Sequence, residues 1–311
     1  MTTLPGSSIE IFPLNLGGNP FGWTADEKAS HEVLDAFVAA GGTLVDTADS
    51  YSAWVDGHEG GESEAIIGRW LAGRSREDVL IATKVGKKPS RDGLAQATVD
   101  AALDESLERL GTDVVDLYYA HFDDESVAVE DQVRTFHGLV EDGRARAIGL
   151  SNYSPERLRA WCEFARQEGL TMPAALQPRY SLVSREAYER DYAPLAEEFG
   201  MAVFCYPALA SGFLTGKYRS EADFEGAARG SAAKRYADAG GLRVVDAQVR
   251  VGERHGVEPA TVALAWLLAR GVAAPIASVS RASQLPPLMA APGLVLSEQD
   301  LAELDEASAG F

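Results

Sequence analysis

The sequence predicts an α/β protein of the (β/α)8 class, a TIM barrel folded as one domain over residues 1–311. Three observations carry that expectation. Eight short, apolar, strand-like runs alternate with longer amphipathic segments, spaced roughly 30–40 residues apart, which is the period of a βα unit. No linker or low-complexity stretch interrupts the alternation. The chain has 311 residues, 46% of them hydrophobic, enough to build one large core.

The first run, LNLGG (14–18), precedes a helix through HEVLDAFVAAGG, with Thr24 and Glu27 spaced as a capping box and Gly41 as its stop. TLVDTAD (43–49) is the second strand, followed by the helix in ESEAIIGRWLAGR. VLIATKVG (79–86) is the third, and its helix shows Leu103, Leu107 and Leu110 on one face before Gly111. VVDLYYAHF (114–122) and AIGLSN (147–152) are the fourth and fifth. The helix after the fifth opens on Ser154 as N-cap and Pro155 at the first helical position. AALQPRYSL (174–182), AVFCYPAL (202–209) and APIASVS (274–280) complete the eight. A polar, Gly- and Ala-rich stretch from about 210 to 241 separates the last two, and a loop of that length inside a compact domain is expected to be functional or mobile.

Composition narrows the partners. Lys and Arg number 28 against 47 Asp and Glu, a net charge of −19. A field of that sign repels nucleic-acid backbones and anionic membranes, so neither is an expected partner. Cys162 and Cys205 lie in apolar runs without CxxC spacing, which points away from a disulfide framework or zinc site and towards a reducing cytoplasm. The N-terminal MTTLPGSSIEIF lacks the basic-then-apolar pattern of a signal peptide, and VALAWLLA (262–269) is too short for a membrane span. His31, His58, His137 and His255 are expected to be solvated. No second His is spaced to join His121 in a metal site.

Barrels of this class carry their chemistry at the C-terminal strand ends. There the sequence places Asp46 and Tyr51 after strand two, Lys84 on strand three, His121 on strand four, Ser151 and Asn152 on strand five, Gln177 on strand six and Tyr206 on strand seven. A phenol titrates near 10, too high for easy proton transfer at neutral pH. A buried Lys84 is expected to lower the Tyr51 value, with Asp46 keeping the lysine charged and His121 orienting a carbonyl opposite. Such a site calls for hydride from a nicotinamide, since no side chain can supply one. Trp23 and Trp54 sit in loops at the same end and are candidates to line the substrate pocket. The run LGGNPFG (16–22) reads GGxxxG rather than GxGxxG, which argues against a doubly wound dinucleotide fold.

The runs VDTADSY (45–51), ATKVG (82–86), YYAH (118–121), GLSNY (149–153) and LASGFLTGKY (209–218) resemble the signatures of the aldo-keto reductase superfamily, in order and along nearly the whole chain. The resemblance is nearest to the bacterial branch related to potassium-channel β subunits. It implies a catalytic tetrad of Asp46, Tyr51, Lys84 and His121 reducing an aldehyde or ketone, such as a keto-sugar. It implies Ser151, Asn152 and Gln177 on the nicotinamide carboxamide and Tyr206 against its ring. Leu209, Gly212, Leu214 and Lys217, with Arg219, would cover the pyrophosphate, and Gly18 and Asn19 would line the cleft. Ser280, Arg281 and Gln284 fall where the family contacts the 2′-phosphate and adenine, so NADPH is the expected cofactor. Leu288 stands at a position where the family has Asn, and Pro286 and Pro287 should shorten the local helix. Two rivals remain: an NADPH-binding sensor with slow chemistry, and a metal-dependent barrel hydrolase.

Overall fold

A computed structural model describes residues 1–311. Eight parallel strands form one sheet: β1 Asn15–Gly17, β2 Leu44–Asp46, β3 Leu80–Val85, β4 Leu117–Ala120, β5 Ile148–Ser151, β6 Ala175–Gln177, β7 Ala202–Val203 and β8 Ile276–Ala277. Their order is β7-β6-β5-β4-β3-β2-β1-β8. The backbone closes the remaining seam, with Ala273 N donating to Val203 O at 2.9 Å and Ile276 N to Cys205 O at 3.0 Å. Helices follow the strands: α1 Glu27–Ala39, α2 Glu62–Leu71, α3 Gln96–Leu110, α4 Val129–Glu141, α5 Pro155–Glu168 and α6 Ala193–Phe199. This is the predicted (β/α)8 barrel. No helix is long and apolar enough to cross a membrane.

The side-chain period of two along a strand divides the core. Val45, Ile81, Tyr118 and Ile148 face outward into the large cluster shared with the helices. Leu44, Ala82, Leu117, Tyr119, Ala175 and Ala202 face inward in a separate, smaller cluster. An N-terminal hairpin, Thr2–Thr3 with Glu10–Ile11, adds Leu4 and Ile11 to that inner set and so plugs the barrel floor. Continuing the inward parity towards the C-terminal ends gives Asp46 after Leu44, Lys84 after Ala82, His121 after Tyr119 and Gln177 after Ala175. The alternation that builds the apolar floor therefore aims these polar groups into the barrel mouth.

Local chemistry explains most element ends. Ser154 caps α5 by accepting from Arg157 N, with Pro155 in the first turn, and Gly111 ends α3 in the left-handed region. The start of α1 differs from expectation: Asp26 is its cap, accepting from Ala29 N at 2.8 Å. Thr24 instead bonds Ser280 across the barrel mouth at 2.7 Å, because its hydroxyl lies two residues too early to reach the helix donors.

The 210–241 stretch is also more ordered than the expected loop. It holds a 3-10 turn at Ala210–Thr215, a short helix at Glu221–Phe224 and α7 at Gly230–Asp238. Helices α8 Leu242–His255 and α9 Pro259–Ala269 lead on to β8. As anticipated, the Pro286–Pro287 pair confines the next helix to Pro286–Met289, and α10 Glu298–Ala307 ends the chain.

Of the histidines predicted to be solvated, His255 is exposed, whereas His31, His58 and His137 are half-buried, and three of the four make side-chain contacts. His31 contacts Ile66 O at 3.1 Å, His137 contacts Thr171 at 2.8 Å and His255 contacts Asp300 at 2.9 Å. His58 has a buried Nδ1 without a partner. His31 and His137 each bond a segment distant in sequence, a position that sequence spacing does not report. Both cysteines are free and buried.

Candidate active site

Lys84 is fully buried and its ammonium spends all three donors within the protein: on Asp46 Oδ1 at 2.5 Å, Thr47 O at 2.7 Å and Tyr51 Oη at 3.0 Å. Asp46, also buried, accepts from Gln177 Nε2 on its other oxygen at 2.9 Å, and the Tyr51 hydroxyl donates to Oδ1 at 3.3 Å. The His121 ring stands across from Tyr51, 6.2 Å between centroids. Thus the structure brings Asp46, Tyr51, Lys84 and His121 together, with Gln177 as a fifth member.

Burial and the nearby Asp46 charge push the Tyr51 phenol well above its usual value. The sequence-based expectation had the opposite sign. The Lys84 charge is matched by Asp46, which itself lies against the phenol, so little net positive field reaches Tyr51. Burial lowers Lys84, while Asp46 opposes the shift. Burial, with Lys84 and Lys87, holds His121 well below the usual imidazole value, so the ring is neutral at physiological pH.

In the same loop Asp49 is 1% exposed and neither carboxylate oxygen has a hydrogen-bond partner. Burial, reinforced by the Glu64 charge, raises it from 3.8 to about 8. Glu64 is buried as well but fully engaged, by Thr83 at 2.5 Å and Arg109 at 2.7 Å.

The tetrad opens into a cavity of about 1400 Å³. Asp46, Tyr51, His121, Gln177 and Tyr206 line it, as do Trp23, Trp54 and Asn19. Leu209, Gly212 and Lys217 form one side, and Ser280, Arg281 and Gln284 form the far end. Five predicted cofactor residues, Gly18, Ser151, Asn152, Leu214 and Arg219, do not line it. Gly17 takes the place expected of Gly18, whose Cβ position is crowded by Ser63 Oγ at 2.9 Å and Asp46 O at 3.1 Å. Leu214 is wholly buried in the core. Arg219 turns to the surface and pairs with Asp246 at 2.5 Å. Ser151 donates to Gln177 O at 2.9 Å.

Asn152 is likewise outside the lining. It donates to His121 O at 2.8 Å and accepts from the Tyr206 hydroxyl. In this structure its amide therefore holds two site residues in place.

Two residues at the cavity escaped the sequence reading. Arg229 donates to Asn19 Oδ1 at 2.7 Å and stacks on Trp23 at 5.1 Å, joining the 210–241 stretch to the loop after β1. Lys87 lies 5.4 Å over the Phe122 ring on the opposite wall. Lys87 sits just past β3, a signal that could have singled it out, whereas Arg229 lies far beyond β7 at the start of the Gly230–Asp238 helix, where no strand end marks it.

The model of the Aldo/keto reductase family matches residues 13–309. The chain belongs to that family. Its relatives include the protein tas of Escherichia coli, 32% identical over 97% of this chain and 95% of that protein. A norsolorinic acid reductase of Emericella nidulans is 30% identical over 97% of this chain and 79% of its own length. An aldo-keto reductase of Strobilurus tenacellus is 34% identical over 81% of this chain and 72% of its own length. This aldo/keto reductase is accordingly an NAD(P)H-dependent oxidoreductase acting on carbonyl compounds.

The cavity fits such a dinucleotide on its own terms. A Cβ at Gly17 would strike Ser278 and approach Ile276 within 3.0 Å, so only glycine leaves the groove open there. Lys217, Arg229 and Arg281 line the same space and none has a carboxylate within salt-bridge distance. Unpaired cations concentrated in one groove of a −19 chain suit a polyanion.

Proposed function

We propose that this enzyme reduces an aldehyde or ketone with NADPH, with Tyr51 donating the proton to the carbonyl oxygen. The observation that carries the reading is the Tyr51 hydroxyl at the cavity wall, backed by a Lys84 ammonium at 3.0 Å that has no other free donor. Gln177 and Tyr206 would hold the nicotinamide end, while Lys217, Arg229 and Arg281 would hold the phosphates. When bound, the nicotinamide supplies the hydride.

The chain's own residues do the rest. Tyr51 is protonated at neutral pH, as an acid must be. Once a carbonyl oxygen replaces Asp46 as its acceptor, the proton leaves to the developing alkoxide. The Lys84 hydrogen bond then falls on a phenolate rather than a phenol, and a charge-assisted bond strengthens at that moment. Asp46 keeps the ammonium charged despite its burial. The neutral His121 can donate one N–H to the same oxygen, orienting the carbonyl without competing as an acid. In alcohol oxidation the roles reverse, with Tyr51 as base.

The test is Tyr51→Phe. Carbonyl-dependent NADPH oxidation, followed at 340 nm, should fall by about 10²–10⁴, while NADPH affinity measured by fluorescence stays within a few fold. Retained turnover would remove Tyr51 from its role. A wild-type enzyme that binds NADPH but turns over no carbonyl would favour the sensor instead.

A further inference from the structure

Beyond Tyr51 and His121 the cavity is walled by Trp23, Trp54, Phe122 and Pro89. Trp54 packs edge-on to Trp23 at 5.6 Å and to Tyr51 at 6.3 Å, yet remains 49% exposed. Only Met1 and Val295 among the large apolar side chains are as open, and neither lines the cavity. The free face of Trp54 therefore looks into the substrate end with no protein partner. A flat ring meets such walls face-to-edge, with a gain beyond simple area burial.

The charge at this end is also unusual for the chain. Acids outnumber bases 47 to 28 overall, but the cavity shows Lys87, Lys217, Arg229 and Arg281 against Asp46 and Glu258. Asp46 is taken by Lys84, Lys217 and Arg281 lie along the dinucleotide groove, and Arg229 is held by Asn19 and by the Trp23 ring. Lys87 belongs to neither set. A small hairpin, Lys87–Lys88 with Arg91–Asp92, fixes it at the rim. From Tyr51 the path runs 6.2 Å to His121, 5.0 Å to Phe122 and 5.4 Å to the Lys87 ammonium, ring by ring. Its one carboxylate neighbour, Asp92, is 3.5 Å away with both side chains about half exposed, a weak pair that a ligand can displace.

We propose that the substrate is a planar aryl aldehyde or ketone bearing an anionic substituent, with its ring against Trp54 and Phe122 and its anion on Lys87. The proposal rests on the reduction reading above and names the substrate class of that site.

The experiment compares 4-formylbenzoate with its neutral methyl ester, the 4-formyl-trimethylanilinium cation and hexanal, using the full chain and NADPH. Wild type should favour the benzoate over the ester, the ester over the cation, and all three aryl aldehydes over hexanal in kcat/KM. The benzoate-to-ester ratio should drop about three- to tenfold in Lys87→Gln, carried by KM. It should invert in Lys87→Glu and survive in Lys87→Arg. A ratio that is the same in wild type, Lys87→Gln and Lys87→Glu overturns the role of Lys87. Equal turnover of hexanal overturns the aryl class. In both cases reduction itself stands. Failure to oxidise NADPH with any aldehyde removes the reduction reading, and this proposal with it.

Discussion

Replacing Asp49 with Asn should make the protein more stable, by an amount that grows with pH. The carboxyl is 1% exposed, lacks partners on both oxygens and is raised from 3.8 to about 8. A folded-state value above the unfolded one means that the native chain holds this proton more tightly between those limits. Stability therefore falls as pH rises through that window and levels off above it. With one unit worth about 1.36 kcal/mol, the wild type should lose about 3–4 kcal/mol between pH 5 and pH 8 through this group alone. Asn keeps the shape but has no charge to expose, so Asp49→Asn should lack that loss. Urea unfolding of both proteins at half-unit pH steps measures the difference. Curves that run parallel from pH 5 to pH 8 would show that Asp49 titrates normally, and the burial argument would fail.

Two further outcomes follow from the site. Lys84→Met strands the buried Asp46 charge and should cost about 3–5 kcal/mol of stability. Adding Asp46→Asn to that variant should recover much of it, as read by the same denaturation assay. Arg281→Ala should weaken NADPH about ten- to hundredfold, the loss of a charge-assisted phosphate contact. NADH should change little, and calorimetric titration of both cofactors checks the contrast.

The barrel was legible because eight apolar runs alternate with amphipathic segments at the period of a βα unit. Asp46, Lys84, His121 and Gln177 stood out as polar residues at the C-terminal ends of such runs, and the structure adds that each continues an apolar inward row. Strand lengths were not legible. TLVDTAD reads as a seven-residue strand, but the ladder covers only Leu44–Asp46, because an apolar run reports burial rather than pairing. Contacts between distant segments were hidden too. Arg229 meets Asn19 across 210 residues of sequence, and Arg219, equally basic and nearer the glycine-rich run, turns away to Asp246. Which of two neighbouring arginines faces a groove depends on the helical turns between them. Those turns lie in an Ala- and Gly-rich stretch whose weak apolar period hid them.

The barrel is closed between β7 and β8, two of its shortest strands, by a few backbone hydrogen bonds. The cavity's far walls come from the segments leaving those two strands, Leu209–Lys217 on one side and Ser280–Gln284 on the other. A dinucleotide gripped by both would act as a rivet across the joint. The coenzyme would then be a structural member as well as a reactant, and the apo barrel would breathe first along this seam.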